Sequence, residues 1–411
     1  MKLENNQYNI QGLNVVDLCD EYGTPLYVYD ADKIKHQVER MQKAFENVDL
    51  RIKYAVKALS NISIIKLMKK LGTDLDVVSI EEAQICLKAG YEPENILFTP
   101  NSVSFDEIKQ AVDLGLKINI DNISILEQFG HYYHNTVPCC LRINPHIMAG
   151  GHSYISTGHI DSKFGISIMQ MRHVHRVVKT NNITIEGLHM HTGSDILDAE
   201  VFIQAANIFY DIAKEFNELK YIDFGSGFKV SYREGDVTTD IEALGKKLSK
   251  SFNNFCESYG RKLEIWFEPG KFLVSEAGYL LTKANIIKTT PATVFVGVNS
   301  GLNHLIRPMM YNSYHDIFNA SNPKRTYRVY SVVGNICETD TLGADRKLNE
   351  VHEGDIIAIK NAGAYAFSMS SNYNSRVRPA EVLIYNGKAH LIRTRESLDD
   401  ILRNMVEIDL D

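Results

Sequence analysis

Lys57 closes a short apolar-alternating run, Arg51 to Ala58, and the stretch Ser60–Lys70 behind it has helical character. A lysine at the C-terminal tip of a strand can reach a ligand while its apolar neighbours strip it of water. Desolvation lowers an amine from its ordinary pKa of about 10.4 and frees its lone pair for imine chemistry. The alternative for a single such residue is a solvated strand end. Other reactive groups fall at comparable places, however. Asp76 and Ser79 lie in a second strand candidate, His191 and Ser194 end a sixth, Gly225-Ser226-Gly227 ends a seventh, and Glu268 ends an eighth. An amine, an imidazole, a Gly-rich turn and a carboxylate on one rim suit a phosphorylated aromatic cofactor. The turn offers backbone N–H groups to a phosphate, the imidazole can stack on a ring, and a carboxylate can keep a ring nitrogen protonated.

Taken singly, each group has a plainer reading. Short Gly turns after strands are common, and Glu268 before Pro269 could simply end its strand. His189-Met190-His191 sets two imidazoles on one strand face, as in metal-dependent hydrolase barrels. Such a site wants further His and Asp ligands on other strands and has its HxH on the first strand, not the sixth, so no metal is expected. His131 and His134 sit in a polar helix-end stretch and read as solvated.

The elements that must position these groups follow from hydrophobic period. Strand candidates are Arg51–Ala58, Asp74–Ser79, Ile96–Pro100, Lys117–Asp121, Pro138–Pro145, Ile185–Gly193, Tyr221–Gly227 and Leu263–Pro269. Helical patterns such as Ile80–Gly90, Asp106–Gly115, Val201–Leu219 and Ile241–Tyr259 lie between them. Eight strand–helix units over roughly 220 residues predict a (β/α)8 TIM-like barrel, whose active site would lie at the C-terminal strand ends. A doubly wound open sheet competes, because periodicity does not show closure. After Pro269 alternating runs continue without long helices: Tyr279–Lys288, Thr293–Val298, Tyr327–Val333, Asp355–Lys360 and Glu381–Tyr385. Turn signals between them predict an antiparallel β domain. A helical Val15–Tyr22 and a strand-like Leu26–Tyr29 precede the barrel. The expected domains are 30–273 for the barrel and 1–29 plus 274–411 for the β domain.

Bulk properties exclude several partners. The 411 residues carry 44 basic and 51 acidic side chains, a net charge of −7, with no Lys/Arg-rich run. Nucleic acid and anionic membranes are not expected partners. No signal-peptide core and no apolar run of membrane-spanning length is visible. Six scattered cysteines without a CxxC fit a reduced compartment, so a cytoplasmic location is expected.

The motifs Tyr54-Ala-Val-Lys57-Ala, His191-Thr-Gly-Ser194, Gly225-Ser-Gly227-Phe, Glu268-Pro-Gly270, Cys337-Glu338 and Gly363-Ala-Tyr365 occur in this order. Together they resemble the barrel-type pyridoxal-phosphate decarboxylases, which include those acting on diaminopimelate, ornithine and arginine. Tyr154–Gly158, Ser162–Gly165, Arg307-Pro-Met-Met-Tyr311 with Tyr314-His315, and Ala364–Ser371 with Tyr373-Asn374 resemble the diaminopimelate decarboxylases in particular. The likeness runs from about residue 20 to 395.

That resemblance implies decarboxylation of meso-2,6-diaminopimelate to L-lysine and CO2, the last step of lysine biosynthesis, with pyridoxal 5'-phosphate as cofactor. Lys57 would carry the cofactor, Asp76 would help set its protonation, His191 would stack on its ring, and Glu268 would pair with the pyridine nitrogen. Ser194, Gly225, Ser226, Gly227 and Tyr365 would hold the phosphate. Arg307 and Tyr311, with Lys271 and Tyr365, would bind substrate, a guanidinium being suited to a carboxylate. Cys337 would be the proton donor and Glu338 would grip the distal ammonium, both reaching into a partner subunit's site in a homodimer. The plainer alternatives are a buried structural thiol for Cys337 and a structural ion pair for Arg307.

Two positions depart from the family pattern. Lys271 stands where an arginine is usual and lacks the planar two-point fork. Ser226 stands inside the glycine triplet, where a Cβ restricts close backbone approach. Competing readings are a sibling decarboxylase of ornithine, lysine, arginine or carboxynorspermidine, an alanine racemase of similar architecture, and a non-catalytic regulatory homologue.

Overall fold

The computed structural model describes residues 1–146, 162–191, 193 and 199–410. These form two compact units, 35–230 with 237–273, and 1–34 with 231–236 and 274–411.

The first unit is built on eight parallel strands: β1 (Asp49–Ala55), β2 (Asp74–Val77), β3 (Ile96–Phe98), β4 (Lys117–Ile120), β5 (Cys139–Asn144), β6 (Ile185–His189), β7 (Tyr221–Asp223) and β8 (Glu264–Phe267). Each pairs with the next, and β8 returns to β1 with Glu264 opposite Asp49, so the sheet closes into a barrel. Closure excludes the open-sheet alternative. Strands buried on both faces need near-continuous apolar sequence, and β3 and β7 are buried along their whole length. Helices follow strands because capping residues wait at the βα junctions. Asn61, Ser79, Ser104 and Asn122 each accept a first-turn backbone N–H, satisfying a donor that the helix leaves orphaned.

Several strands end earlier than periodicity predicts, and for one physical reason. Apolar alternation continues into the turn above the barrel, where side chains are still buried but the hydrogen-bond ladder has stopped. Lys57 is thus not in a strand: β1 ends at Ala55, and Val56–Ala58 is a 3-10 turn. Ser79 is likewise not in β2 but caps Ile80–Lys88 by accepting the Glu82 N–H.

Toward the N-terminal strand ends the barrel is plugged by a polar–aromatic stack. The buried Lys53 amine lies 3.1 Å from Asp74 and 4.0 Å from the centre of the Trp266 ring. Trp266 in turn stacks on Tyr221 at 3.4 Å. Gly187 leaves room for that tyrosine, since a Cβ there would fall 2.2 Å from its ring. A desolvated cation over a ring contributes about 2 kcal/mol.

The second unit contains a sheet ordered Thr341–Asn349, Tyr327–Val333, Val294–Val298, Gly278–Thr289, Leu26–Asp30, Ala380–Tyr385, Lys388–Arg393. It is mixed, where an antiparallel domain was expected. Val294–Val298 runs parallel to Tyr327–Val333, and Leu26–Asp30 runs parallel to Ala380–Tyr385. Alternation reveals which face a residue takes but not the direction of its neighbour, and the two parallel pairs join segments distant in sequence. Lys2–Glu4, Gln7–Ile10 and Leu13–Asn14 form a separate small sheet.

Candidate active site

At the C-terminal strand ends of the barrel, residues from seven different strands converge. Lys57 extends from the turn after β1, and its Nζ donates to Asp76 Oδ2 at 3.1 Å. Asp76 is fully buried at the tip of β2, and its Oδ1 has no hydrogen-bond partner. Burial and the nearby Glu268 push the Asp76 carboxyl up, and the Lys57 ammonium pulls it part of the way back.

Glu268 follows β8 and is also buried. One carboxylate oxygen accepts from His189 Nε2 at 3.1 Å, and the other faces the Thr99 hydroxyl at 3.5 Å. Burial alone would raise this carboxyl. His189, with Lys57, more than reverses that and holds it well below the ordinary carboxylate range. Asp223, at the end of β7, goes the other way: burial and the Glu268 charge keep it well above its usual value. Neighbouring acids are thus pushed in opposite directions by their surroundings. His189, Asp223 and Glu268 bring three ligand-type atoms within 4.8 Å of one another. The His189–Glu268 hydrogen bond makes Glu268 a positioned carboxylate with the imidazole as its support, while Asp223 is engaged with the Gly225 N–H.

The glycine turn after β7 is fixed from both sides. Asp223 Oδ1 accepts the Gly225 N–H at 2.7 Å, and Gly225 C=O accepts the Glu268 N–H at 2.7 Å. Gly225 has φ +63°, and a Cβ there would meet His191 Nδ1 at 2.5 Å. Gly227 also has positive φ, at +122°. Ser226 does not adopt positive φ, which is why a Cβ is tolerated at the middle position. Its N–H donates to His191 Nδ1 at 3.2 Å. Desolvation of the imidazole, then the Arg142 guanidinium, pulls His191 down to about 3, so the ring stays neutral at working pH. Ser194, expected at this rim, lies outside the described residues, as does Tyr154–Gly158.

Three residues of this rim were missed or undervalued from sequence: His189, Thr99 and Arg142. Arg142 is buried in β5, 4.9 Å from the Phe164 ring, and it balances Glu268, Asp121 and Asp76 electrostatically. Its signal was present, since an arginine inside the otherwise apolar stretch Cys139–Ile143 demands buried acids.

The second unit holds two further clusters. Arg307 begins the short helix Arg307–Tyr311. Its guanidinium lies among Tyr311, Tyr365 and Tyr232 at 5.6, 5.9 and 6.0 Å from the ring centres. It contacts the Tyr232 and Ser313 hydroxyls at 3.4 and 3.5 Å. The Arg307 contacts described here are hydroxyls and rings, where the ion-pair alternative would require an acid. His315 closes the cluster from behind, its Nδ1 held by the Lys360 carbonyl at 2.9 Å, and burial drives it down to about 4.

Cys337 and Glu338 lie in the other cluster, on a loop pinned by buried Asp340. That carboxylate accepts the Leu302 N–H at 2.6 Å and the Ile336 N–H at 2.9 Å. Cys337 is exposed, the opposite of a structural thiol, while the other five cysteines are buried. Tyr373 donates to Glu338 at 3.0 Å, and Asn374 contacts Cys337. Lys271 opens the short helix Lys271–Val274 in the barrel unit and is half-buried.

The described barrel residues fit a phosphorylated pyridine aldehyde. Lys57 supplies an amine beside a buried acid with an open oxygen. The glycine turn approaches His191 so closely that a Cβ at Gly225 would collide with the imidazole, and Glu268 is kept ionised in a site where a protonated ring nitrogen would be its partner.

Residues 31–275 match the family model described as pyridoxal-dependent decarboxylase, pyridoxal binding domain. The diaminopimelate decarboxylase of Methanothermobacter thermautotrophicus is 40% identical over 404 residues, 96% of this chain and 94% of that protein. The Aquifex aeolicus diaminopimelate decarboxylase is 36% identical, covering 97% and 96%. Among solved structures, diaminopimelate decarboxylase from M. jannaschii superposes with a TM-score of 0.91 at 31% identity, over 99% of this chain and 98% of that one. The Helicobacter pylori enzyme complexed with L-lysine gives 0.87 at 35%, over 95% and 98%.

Proposed function

Since this chain belongs to the diaminopimelate decarboxylases, pyridoxal-phosphate-dependent carboxy-lyases that turn meso-2,6-diaminopimelate into L-lysine and CO2, we propose that its barrel rim carries the cofactor and that its Arg307 and Cys337 clusters serve the substrate. The carrying observation is the barrel rim, where an amine, a neutral imidazole, a glycine cradle and an ionised buried carboxylate stand together. Bound there, the cofactor supplies a protonated pyridine ring as an electron sink for the pair left when CO2 departs.

The chain's own residues do the rest. Lys57 attaches the cofactor through its amine, and Asp76 takes or returns a proton at that nitrogen. Glu268 keeps the ring nitrogen protonated because His189 keeps Glu268 ionised. A neutral His191 stacks against the ring without adding charge. The Gly225-Ser226-Gly227 turn seats the phosphate, its shape fixed by the Gly225 N–H on Asp223 and the Ser226 N–H on His191, with Ser194 and Tyr365 completing that grip. Arg307 and Tyr311 bind a substrate carboxylate with help from Lys271, and Glu338 binds the distal ammonium. Cys337 delivers the proton to the α-carbon after CO2 is gone.

Exposure of the Cys337–Glu338 loop supports a homodimer in which this loop serves the partner's site. A cytoplasmic location is supported by six unpaired cysteines and by the absence, among the described residues, of any helix long and apolar enough to cross a membrane. The test is CO2 release by the cofactor-loaded protein from meso-diaminopimelate, run beside L-lysine, L-ornithine and L-arginine. Release from diaminopimelate alone is expected. Release from a basic amino acid instead would overturn the carboxylate clamp, and release from none would favour the regulatory homologue.

A further inference from the structure

Asn374 holds Cys337 at two points. Its Oδ1 accepts the Cys337 backbone N–H at 3.0 Å, and its Nδ2 lies 3.1 Å from the Cys337 sulfur. The first contact fixes the second, because an amide whose oxygen faces an N–H must present its NH2 group to the sulfur. Asn374 sits at φ +56°, ψ +29°, a left-handed conformation that asparagine tolerates and that turns its side chain back toward the loop. Tyr373 approaches the same sulfur with its hydroxyl at 3.8 Å while donating to Glu338 Oε1 at 3.0 Å. One phenol hydrogen cannot serve both acceptors, so with the carboxylate taking it, the phenol oxygen is left to accept the thiol hydrogen. These contacts push the Tyr373 phenol up to about 12, keeping it protonated.

We propose that Asn374 is a positioning residue for proton delivery, aiming the Cys337 thiol and carrying part of the sulfur's charge once the proton has left, with Tyr373 as the switchable second partner. The inference rests on the assignment of Cys337 as proton donor. In that step the S–H bond breaks, a C–H bond forms at the substrate carbon, and the sulfur keeps the electron pair. A thiolate accepts the Asn374 N–H more strongly than a thiol does, and charge-assisted hydrogen bonds are roughly twice as strong as neutral ones. The phenol hydrogen can then swing from Glu338 to the sulfur. Solvent entering the site as product leaves restores the thiol proton.

The clamp can be tested on Cys337 directly, by following its alkylation with iodoacetamide against pH in the cofactor-loaded protein. Peptide mapping assigns the label, and burial protects the other five cysteines. Asn374→Asp is the informative variant. It keeps the left-handed backbone and the acceptor for the Cys337 N–H, but sets a carboxylate oxygen where the sulfur had a donor. Alkylation at pH 7.5 is expected to slow about tenfold, with the pH–rate curve moved to higher pH, and kcat is expected to fall with KM unchanged. A wild-type alkylation curve in Asn374→Asp would overturn the proposal. Should that variant fail to fold, Asn374→Gly removes the whole clamp at a conformation glycine accepts, and its curve decides in the same way. Turnover of Cys337→Ala tests the underlying assignment separately: wild-type turnover there would remove the proton-donor role whatever the alkylation curves show.

Discussion

Replacing His189 tests the electrostatic logic of the barrel rim more sharply than replacing any residue expected to touch the cofactor. His189 is fully buried, and its Nε2 donates to Glu268 at 3.1 Å. Leucine would fill similar space while removing the donor. A hydrogen bond to a charged group contributes about 1.5–3 kcal/mol, so losing one weakens whatever depends on an ionised Glu268 by about 10- to 150-fold. Cofactor affinity is that quantity. It is read by titrating the apoprotein with pyridoxal 5'-phosphate and following absorbance. Gln, which keeps a donor but no ring, is expected to recover part of the loss.

The pH dependence of the apoprotein offers a second readout with a definite sign. Glu268 is held below its ordinary range, so it contributes stability above about pH 4.3 that is lost only as the pH falls through its depressed folded value. Without His189 the largest pull downward is gone and the carboxyl rises, so part of that stability disappears. Thermal melts of His189→Leu should lie below wild type from about pH 4.3 upward and converge on it as the pH falls. Unchanged cofactor affinity together with parallel melting curves would refute the support assigned to His189.

Four further outcomes are expected. Lys57→Ala should abolish CO2 release from diaminopimelate; because it also strips buried Asp76 of its cation, its melting temperature should fall relative to wild type as pH rises toward 8. Gly225→Ala should lose cofactor binding in the same absorbance titration, since its Cβ would collide with His191 at a backbone angle alanine disfavours. Arg307→Lys should raise KM for diaminopimelate about tenfold or more with a smaller change in kcat, because an ammonium cannot reproduce the two-point grip. Mixing Lys57→Ala with Cys337→Ala subunits should restore about one quarter of wild-type activity if sites are shared across a dimer, and none if each chain works alone.

What could be read from sequence depended on whether a residue's role is set by its own strand or by a distant one. The barrel was legible because eight buried runs and the capping residues between them are local signals, and Ile241–Tyr259 was delimited to the residue by its Asp240 cap and Gly260 stop. Ser79 shows the limit even there. Its partner Glu82 three residues on makes a helix-start signature, yet the apolar run through Val78 drew it into the strand. In the second unit the direction of pairing escaped, because Leu26–Asp30 lies beside Ala380–Tyr385 across some 350 residues and nothing in alternation encodes a neighbour.

The rim divides in the same way. Lys57, Asp76, His191 and Glu268 stood out because a polar residue at an apolar strand end asks for a reason. His189 asked too, but its role exists only once β6 and β8 lie on the same closed sheet and its imidazole meets Glu268. Period-2 reasoning placed His189 and His191 together on one face, and with a shared metal set aside it offered no separate role for His189. Instead β6 stops at His189, the chain turns, and the two rings act on different partners: His189 on the Glu268 carboxylate, His191 on the Ser226 N–H. One holds a charge in place and the other stays neutral, and that difference comes from where the ladder ends.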